Sequence, residues 1–147
     1  MADNGLAERL QALEDRMAIQ QLFIDYGRYL DAGDLDAYAS LFADEGEVLL
    51  GPMGRAKGPA AIKELMTKAL EGKIGTSYHI ISSPMFKIDG DTATSDVMWT
   101  VVQARPDGTP SLNVVGRHVD DLVRERGAWK FKRRRGYVSL PNVMPKS

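Results

Sequence analysis

The 147-residue chain is the size of one ordinary domain and is long enough to bury a core without disulfide or metal staples. Its 44% hydrophobic and 27% charged residues are those of a globular protein, and a net charge of −1 gives no overall field to attract nucleic acid or an anionic membrane. With no cysteine there is no disulfide, no thiol nucleophile and no thiolate-bound metal.

The opening Met-Ala-Asp-Asn-Gly lacks a basic segment followed by an apolar stretch, and nothing downstream approaches a membrane-spanning length, so a cytoplasmic protein with no membrane partner is expected. Leu6, Leu10, Leu13 and Met17, then Leu22, Phe23, Tyr26 and Leu30, recur every three to four residues and predict one long amphipathic helix ending near Gly33 and covering a sheet. Asp34 caps a predicted second helix running through Phe42, with Leu35, Tyr38, Leu41 and Phe42 on one side. A short strand is expected over residues 47–50, then a turn over residues 51–54. A third helix starts at Pro59 with the stripe Ile62, Leu65, Met66, Ala69 and Leu70, and Gly72 and Gly75 release the chain.

From Thr76 the pattern becomes β-rich, with turn signals at residues 89–91, 106–109 and 126–127 and long strands expected over residues 92–104 and 111–124. Residues 141–147 read as a loose terminus. Helices first and a meander afterwards predict a single α+β domain over residues 1–147, with helices packed on one face of a bent, mostly antiparallel sheet.

Asp31 falls in the last turn of the long helix, where the macrodipole disfavours a carboxylate, so it either closes the Ala32-Gly33 turn or meets a compensating partner. His79, one of two histidines, shares a strand face with Ser77 and Ile81, opposite Tyr78 and Ile80. If the long helix crosses the mouth of the sheet, Asp31 can accept from one ring nitrogen of His79 and leave the other free to take a proton. Tyr26 lies about 140° from Asp31 around the helix, so it either packs on the sheet or lines the same wide pocket as a proton donor. His118 and Asp120 share one face of a later strand, and Arg117 and Asp121 the other. A metal site built from Asp31, His79 and His118 lacks a recognisable ligand spacing, and no metal is expected. The run Lys130, Lys132, Arg133, Arg134 and Arg135 reads as a solvated face with one member turned inward. No dinucleotide fingerprint, phosphate loop or serine elbow occurs, which leaves cofactor-free proton chemistry as the better fit.

Three segments carry a whole-chain resemblance: residues 19–42, with Tyr26 and Leu30-Asp-Ala-Gly-Asp; Tyr78-His79 with residues 88–93; and residues 116–120 with Gly127-Ala-Trp-Lys-Phe-Lys-Arg-Arg134. In these the chain resembles the SnoaL-like branch of the nuclear transport factor 2-like superfamily. Members of that group include scytalone dehydratase, bile acid 7-alpha dehydratase and hexachlorocyclohexane dehydrochlorinase. The resemblance implies a cone-shaped α+β barrel and a cofactor-independent lyase or isomerase acting on a hydrophobic cyclic small molecule. By the same resemblance His79 is the base, Asp31 its orienting partner, Tyr26 a proton donor and Arg134 a stabiliser of developing negative charge, with Arg133 and Arg135 leaving the register open. His118, Trp99 and Phe23 are expected to contact the substrate, and a homodimer or homotrimer is the expected assembly. The second histidine found in the pocket of scytalone dehydratase has no counterpart near residues 97–101, and relatives on this fold also include non-catalytic assembly subunits such as the β subunits of ring-hydroxylating dioxygenases. Such a subunit is the alternative expectation, and it needs no Asp–His pair.

Overall fold

α1 (Ala2–Ala32) is the long helix that the sequence predicts, and it stops at Gly33. The structure is a computed structural model that describes residues 2–141, with side chains from Gly5 onward; the expected loose tail lies, from residue 142, outside the described residues. At the helix end the backbone N–H groups of Gly33 and Asp34 return to the carbonyls of Leu30 and Tyr29 at 3.1 and 3.0 Å, with Gly33 in the left-handed region at φ 73°. A Cβ on Gly33 would also come within 2.6 Å of Ile74 Cδ1, so glycine is required there twice over.

The apolar face expected along α1 resolves into two stripes. Ile19, Leu22, Phe23, Tyr26 and Leu30 are buried against the sheet, whereas Leu6, Leu10, Leu13 and Met17 stay 54–68% exposed. Extending the buried stripe backwards by one turn lands on Asp15, and Leu13 and Met17, two residues to either side, sit about 200° around the helix from it. The first half of α1 is therefore held by Asp15 instead of by leucines. Its carboxylate accepts from Arg124 Nη1 and Nη2 at 2.7 and 2.9 Å, from Trp129 Nε1 at 3.1 Å and from Gln11 at 3.0 Å.

α2 (Leu35–Ser40) carries the expected cap, Asp34 Oδ1 accepting from the Ala37 N–H at 3.1 Å. It ends before Phe42, which instead opens β1 (Phe42–Leu49). The Leu41 carbonyl accepts from the Phe131 N–H at 2.9 Å and Phe42 lies opposite Phe131, so pairing captures the chain two residues before the predicted helix end. A single 3₁₀ turn over Gly51–Met53 leads into β2 (Arg55–Lys57), a strand too short to show any alternation in sequence. α3 (Pro59–Ala69) then packs Ile62 and Met66 inward.

β3 (Ser77–Asp89), β4 (Thr92–Ala104), β5 (Pro110–Glu125) and β6 (Ala128–Leu140) form the meander, joined at the predicted turns. The sheet order is β2-β1-β6-β5-β4-β3, antiparallel throughout except for the β1–β6 pair. Bulges interrupt each of the three meander pairings and increase local twist. Three helices thus cover a curled six-stranded sheet whose edges do not close, the α+β cone expected. No helix among the described residues is long and apolar enough to cross a membrane.

Candidate active site on the concave face

The carboxylate of Asp31 turns away from the Gly33 turn, which the backbone closes by itself, and reaches β3. Both of its oxygens lie 3.0 Å from the His79 backbone N–H, and Oδ1 lies 2.8 Å from His79 Nδ1. Two donors from one residue thus compensate the carboxylate at the negative end of α1. A carboxylate only accepts, so Nδ1 carries the hydrogen, and in the neutral tautomer this selects the lone pair is on Nε2. The two side chains are 15% and 18% exposed, shielded but within reach of a small molecule. Gly27 lets the helix come this close: a Cβ there would sit 3.1 Å from Ile81 Cγ1 and 3.6 Å from the His79 carbonyl oxygen.

Cross-strand register carries the same face across the sheet. Ile81 lies opposite Trp99, Trp99 opposite Gly116, Val97 opposite His118, His118 opposite Gly136, and Ser95 opposite Asp120, which lies opposite Arg134. Directly opposed residues share a face, so His79, Trp99, His118, Asp120 and Arg134 all project to the concave side under α1.

Of the three consecutive arginines, Arg134 is the one turned inward, at 1% exposure. It donates Nε and Nη2 to Asp120 at 2.7 and 2.8 Å, and Ser95 Oγ donates to the same carboxylate at 2.8 Å. Its guanidinium lies 4.2 Å from the Tyr26 ring centre and 4.0 Å from that of Phe131. Burial works against its charge, and the Asp120 carboxylate more than offsets that, holding Arg134 protonated. What reaches the rest of the site is the field of an ion pair.

Tyr26 is buried between Tyr38, Phe131 and His118, and the Tyr38 hydroxyl donates toward its oxygen at 3.5 Å. Burial pushes the Tyr38 phenol well above its ordinary range, so it stays a donor. Phe23 packs edge-on against Phe86 and tilted against Phe131 within the core at 2% exposure.

His118 is fully buried, and desolvation, helped by the charges of Arg134 and His79, holds its imidazole well below its ordinary value and hence neutral. Its ring stacks on Trp99 with centroids 5.5 Å apart. Gly116 makes room for this, since a Cβ there would fall 2.2 Å from Trp99 Cζ2. His118 Nδ1 and Trp99 Nε1 are both sealed from solvent and have no hydrogen-bond partner among the described residues. Ser95 and Tyr38 belong to this cluster although sequence reasoning missed them; the one available signal was a serine inside the inward series Ala93, Ser95, Val97. By contrast, a groove of about 580 Å³ between α1 and the β3–β4 hairpin, lined by Asp15, Arg16, Phe86 and Arg124, has its main polar groups tied to one another.

Residues 11–135 match the model for the SnoaL-like domain. The chain belongs to the SnoaL-like domain family. Among solved structures, this SnoaL-like chain is similar to a nuclear transport factor 2-like protein with a cystatin-like fold from Novosphingobium aromaticivorans, at 30% identity and a TM-score of 0.85, covering 95% of this chain and 92% of that one. It is also similar to a type 2 hexachlorocyclohexane dehydrochlorinase (LinA), at 20% identity and a TM-score of 0.79 over 95% and 97% of the two chains, a likeness of fold alone. A curated relative, an uncharacterized protein of Mycobacterium tuberculosis, is 27% identical over 124 residues, which is 83% of this chain and 84% of its own length.

Proposed function

We propose that this SnoaL-like domain is a cofactor-independent lyase or isomerase that removes a carbon-bound proton from a hydrophobic cyclic small molecule. The observation that carries the reading is the 2.8 Å contact between Asp31 Oδ1 and His79 Nδ1, which leaves Nε2 as the proton acceptor on a half-shielded concave face. His79 is the base, and Asp31 fixes its tautomer and stabilises the imidazolium as it forms. Tyr26, backed by the Tyr38 hydroxyl, donates to a departing oxygen. Arg134 acts here through the ion pair with Asp120, ordering Tyr26 beneath its guanidinium. Trp99 and His118 meet the ligand, and Phe23 backs the pocket from the core. A homodimer or homotrimer is the proposed assembly, with the outer sheet face carrying exposed Tyr78, Ile80 and Leu112.

The other expectation, a non-catalytic assembly subunit, requires neither the Asp–His contact nor buried nitrogens without partners. The test is a set of cyclic ketones, enones and β-hydroxy ketones incubated in D₂O with the wild type, His79→Gln and Asp31→Asn. Wild-type protein is expected to exchange the proton beside the carbonyl, or to expel water, with at least one compound, and His79→Gln to lose at least about 100-fold of that rate. Equal rates in all three proteins would overturn the mechanism.

A further inference from the structure

We infer that the outward face of the first half of α1 is the seam of a parallel two-helix coiled coil with a second copy of this chain. The face is separate from the concave site and from the outer face of the sheet, and the inference stands whether or not His79 is a base. Leu6, Leu10, Leu13, Met17, Gln20 and Ile24 follow one another at alternating spacings of four and three residues. That alternation is the period of about 3.5 residues that lets two helices share a seam. Leu10, Met17 and Ile24 take one seam position (a), and Leu6, Leu13 and Gln20 the other (d). All six are exposed, on the side of α1 roughly opposite the row of Asp15, Ile19, Leu22 and Tyr26 that faces the sheet. The row is about 27 Å long. Packing on the sheet has already built the helix, so association does not carry the cost of forming it. Past Ile24 the face ends, because β3 closes on α1 at Gly27 and Asp31.

Charge and polarity select both the occupant and its direction. Arg9 precedes Leu10 and Glu14 follows Leu13, which puts them on opposite flanks of the seam. Neither has an opposite charge three or four residues away on its own helix. The neighbouring polar groups do have partners: Gln11 bonds Asp15, Gln21 bonds Asp25, and Arg16 lies over the Phe86 ring. In a parallel pair each Arg9 meets Glu14 of the second copy, once on either flank, so the face is complementary to itself under a two-fold axis. Gln20 then meets Gln20 of the second copy, amide to amide. The antiparallel alignment sets Glu14 against Glu14 and Arg16 against Arg16, and it buries Gln20 against Leu10. A membrane surface fits less well, since residues 5–24 carry Glu8, Glu14 and Asp15 against Arg9 and Arg16 and have no basic flank. Fewer than three heptads with one polar layer make the pair weak, with a dissociation constant of about 10–500 μM.

The chain has no cysteine, so a single introduced thiol reports on the seam alone. Two Leu10 positions face each other in the parallel pair, whereas the antiparallel alignment separates them by about 15 Å along the axis. In glutathione buffer at equal protein concentration, Leu10→Cys is expected to form a disulfide-linked pair at least about tenfold faster than Ala18→Cys, an exposed position of α1 away from the seam. At sedimentation equilibrium the wild-type mass is expected to rise between about 10 and 500 μM, and Leu10→Gln to move that rise at least about tenfold higher in concentration. Arg9→Glu and Glu14→Arg should each weaken association about threefold or more, and the double variant carrying both should recover it. Far-UV circular dichroism equal to that of the wild type shows that each variant folds.

Linkage of Leu10→Cys no faster than that of Ala18→Cys would overturn the inference. So would linkage found only when Leu10→Cys is mixed with Gln20→Cys, which is the antiparallel result. A mass that does not rise, or a rise that Leu10→Gln leaves untouched, would equally overturn it, the latter by assigning association to another face. Binding to phosphatidylglycerol vesicles that Leu10→Gln abolishes, with no linkage of Leu10→Cys, would give the face to a membrane instead.

Discussion

A carboxylate in the last turn of a helix loses energy to the macrodipole, and Asp31 recovers it by taking both the backbone N–H and the ring N–H of His79. The residue types were legible in the sequence: an acidic side chain at an unfavourable helix position, and a histidine whose strand face follows from alternation. Their meeting was not, because 48 residues separate them and nothing local encodes the approach of α1 to β3 at Gly27. Arg134 was equally hidden among three arginines, since a bulge between Asp121 and Leu122 resets which of them turns inward. The buried nitrogen of His118, without a partner among the described residues, supports a prediction at this scale. Replacing an unsatisfied buried polar group by an apolar one of similar shape is near neutral or stabilising. His118→Phe is therefore expected to leave the urea midpoint unchanged or raised; a loss of stability above about 1 kcal/mol would mean that the imidazole is a structural partner after all.

Element boundaries show where local signals stop being sufficient. α1, α3 and the meander turns were readable from periodicity and glycine, whereas the end of α2 and all of β2 depended on pairing with β6 and β1. The leucines of the first half of α1 were legible as a helix but not as an exposed face, because periodicity says that a stripe exists and not what covers it. Leu13→Gln is expected to change stability by less than about 0.5 kcal/mol. Ile19→Ala, fully buried on the other stripe, is expected to cost about 2–5 kcal/mol in the same unfolding measurement. Asp15 is what fastens that half of the helix. Its bond with Arg124, opposed by burial and assisted by Trp129 and Gln11, lowers its carboxyl to about 2 from 3.8. Because the native value is the lower one, the unfolded chain takes up the proton first. The stabilisation is present in full above about pH 5 and is lost as pH falls toward 2, a difference of about 2 kcal/mol. Unfolding midpoints measured between pH 5 and pH 2 are expected to fall in the wild type and to fall less in Asp15→Asn; parallel curves would contradict the role of Asp15 as the fastening.

At the scale of the molecule, element order was enough to predict an α+β cone, and the parallel β1–β6 pair is the detail that order alone does not contain. That pair brings the start of β1 against β6, and it is β6 that carries Arg134 beneath α1 and beside His118, so the global topology assembles the polar cluster. The fold thus presents two systems on one concave face: an Asp–His pair at its rim, and a sealed Arg–Asp–Ser group with His118 and Trp99 behind it. The most direct measurement of whether the pair works as a unit is a double-variant comparison of deuterium exchange into a cyclic ketone by wild type, Asp31→Asn, His79→Gln and the double variant. Residues that act through one another are not additive. The double variant is expected to exchange no more slowly than His79→Gln alone, with Asp31→Asn between it and the wild type. Losses that multiply, or a His79→Gln variant that keeps the wild-type rate, would contradict a base built from Asp31 and His79.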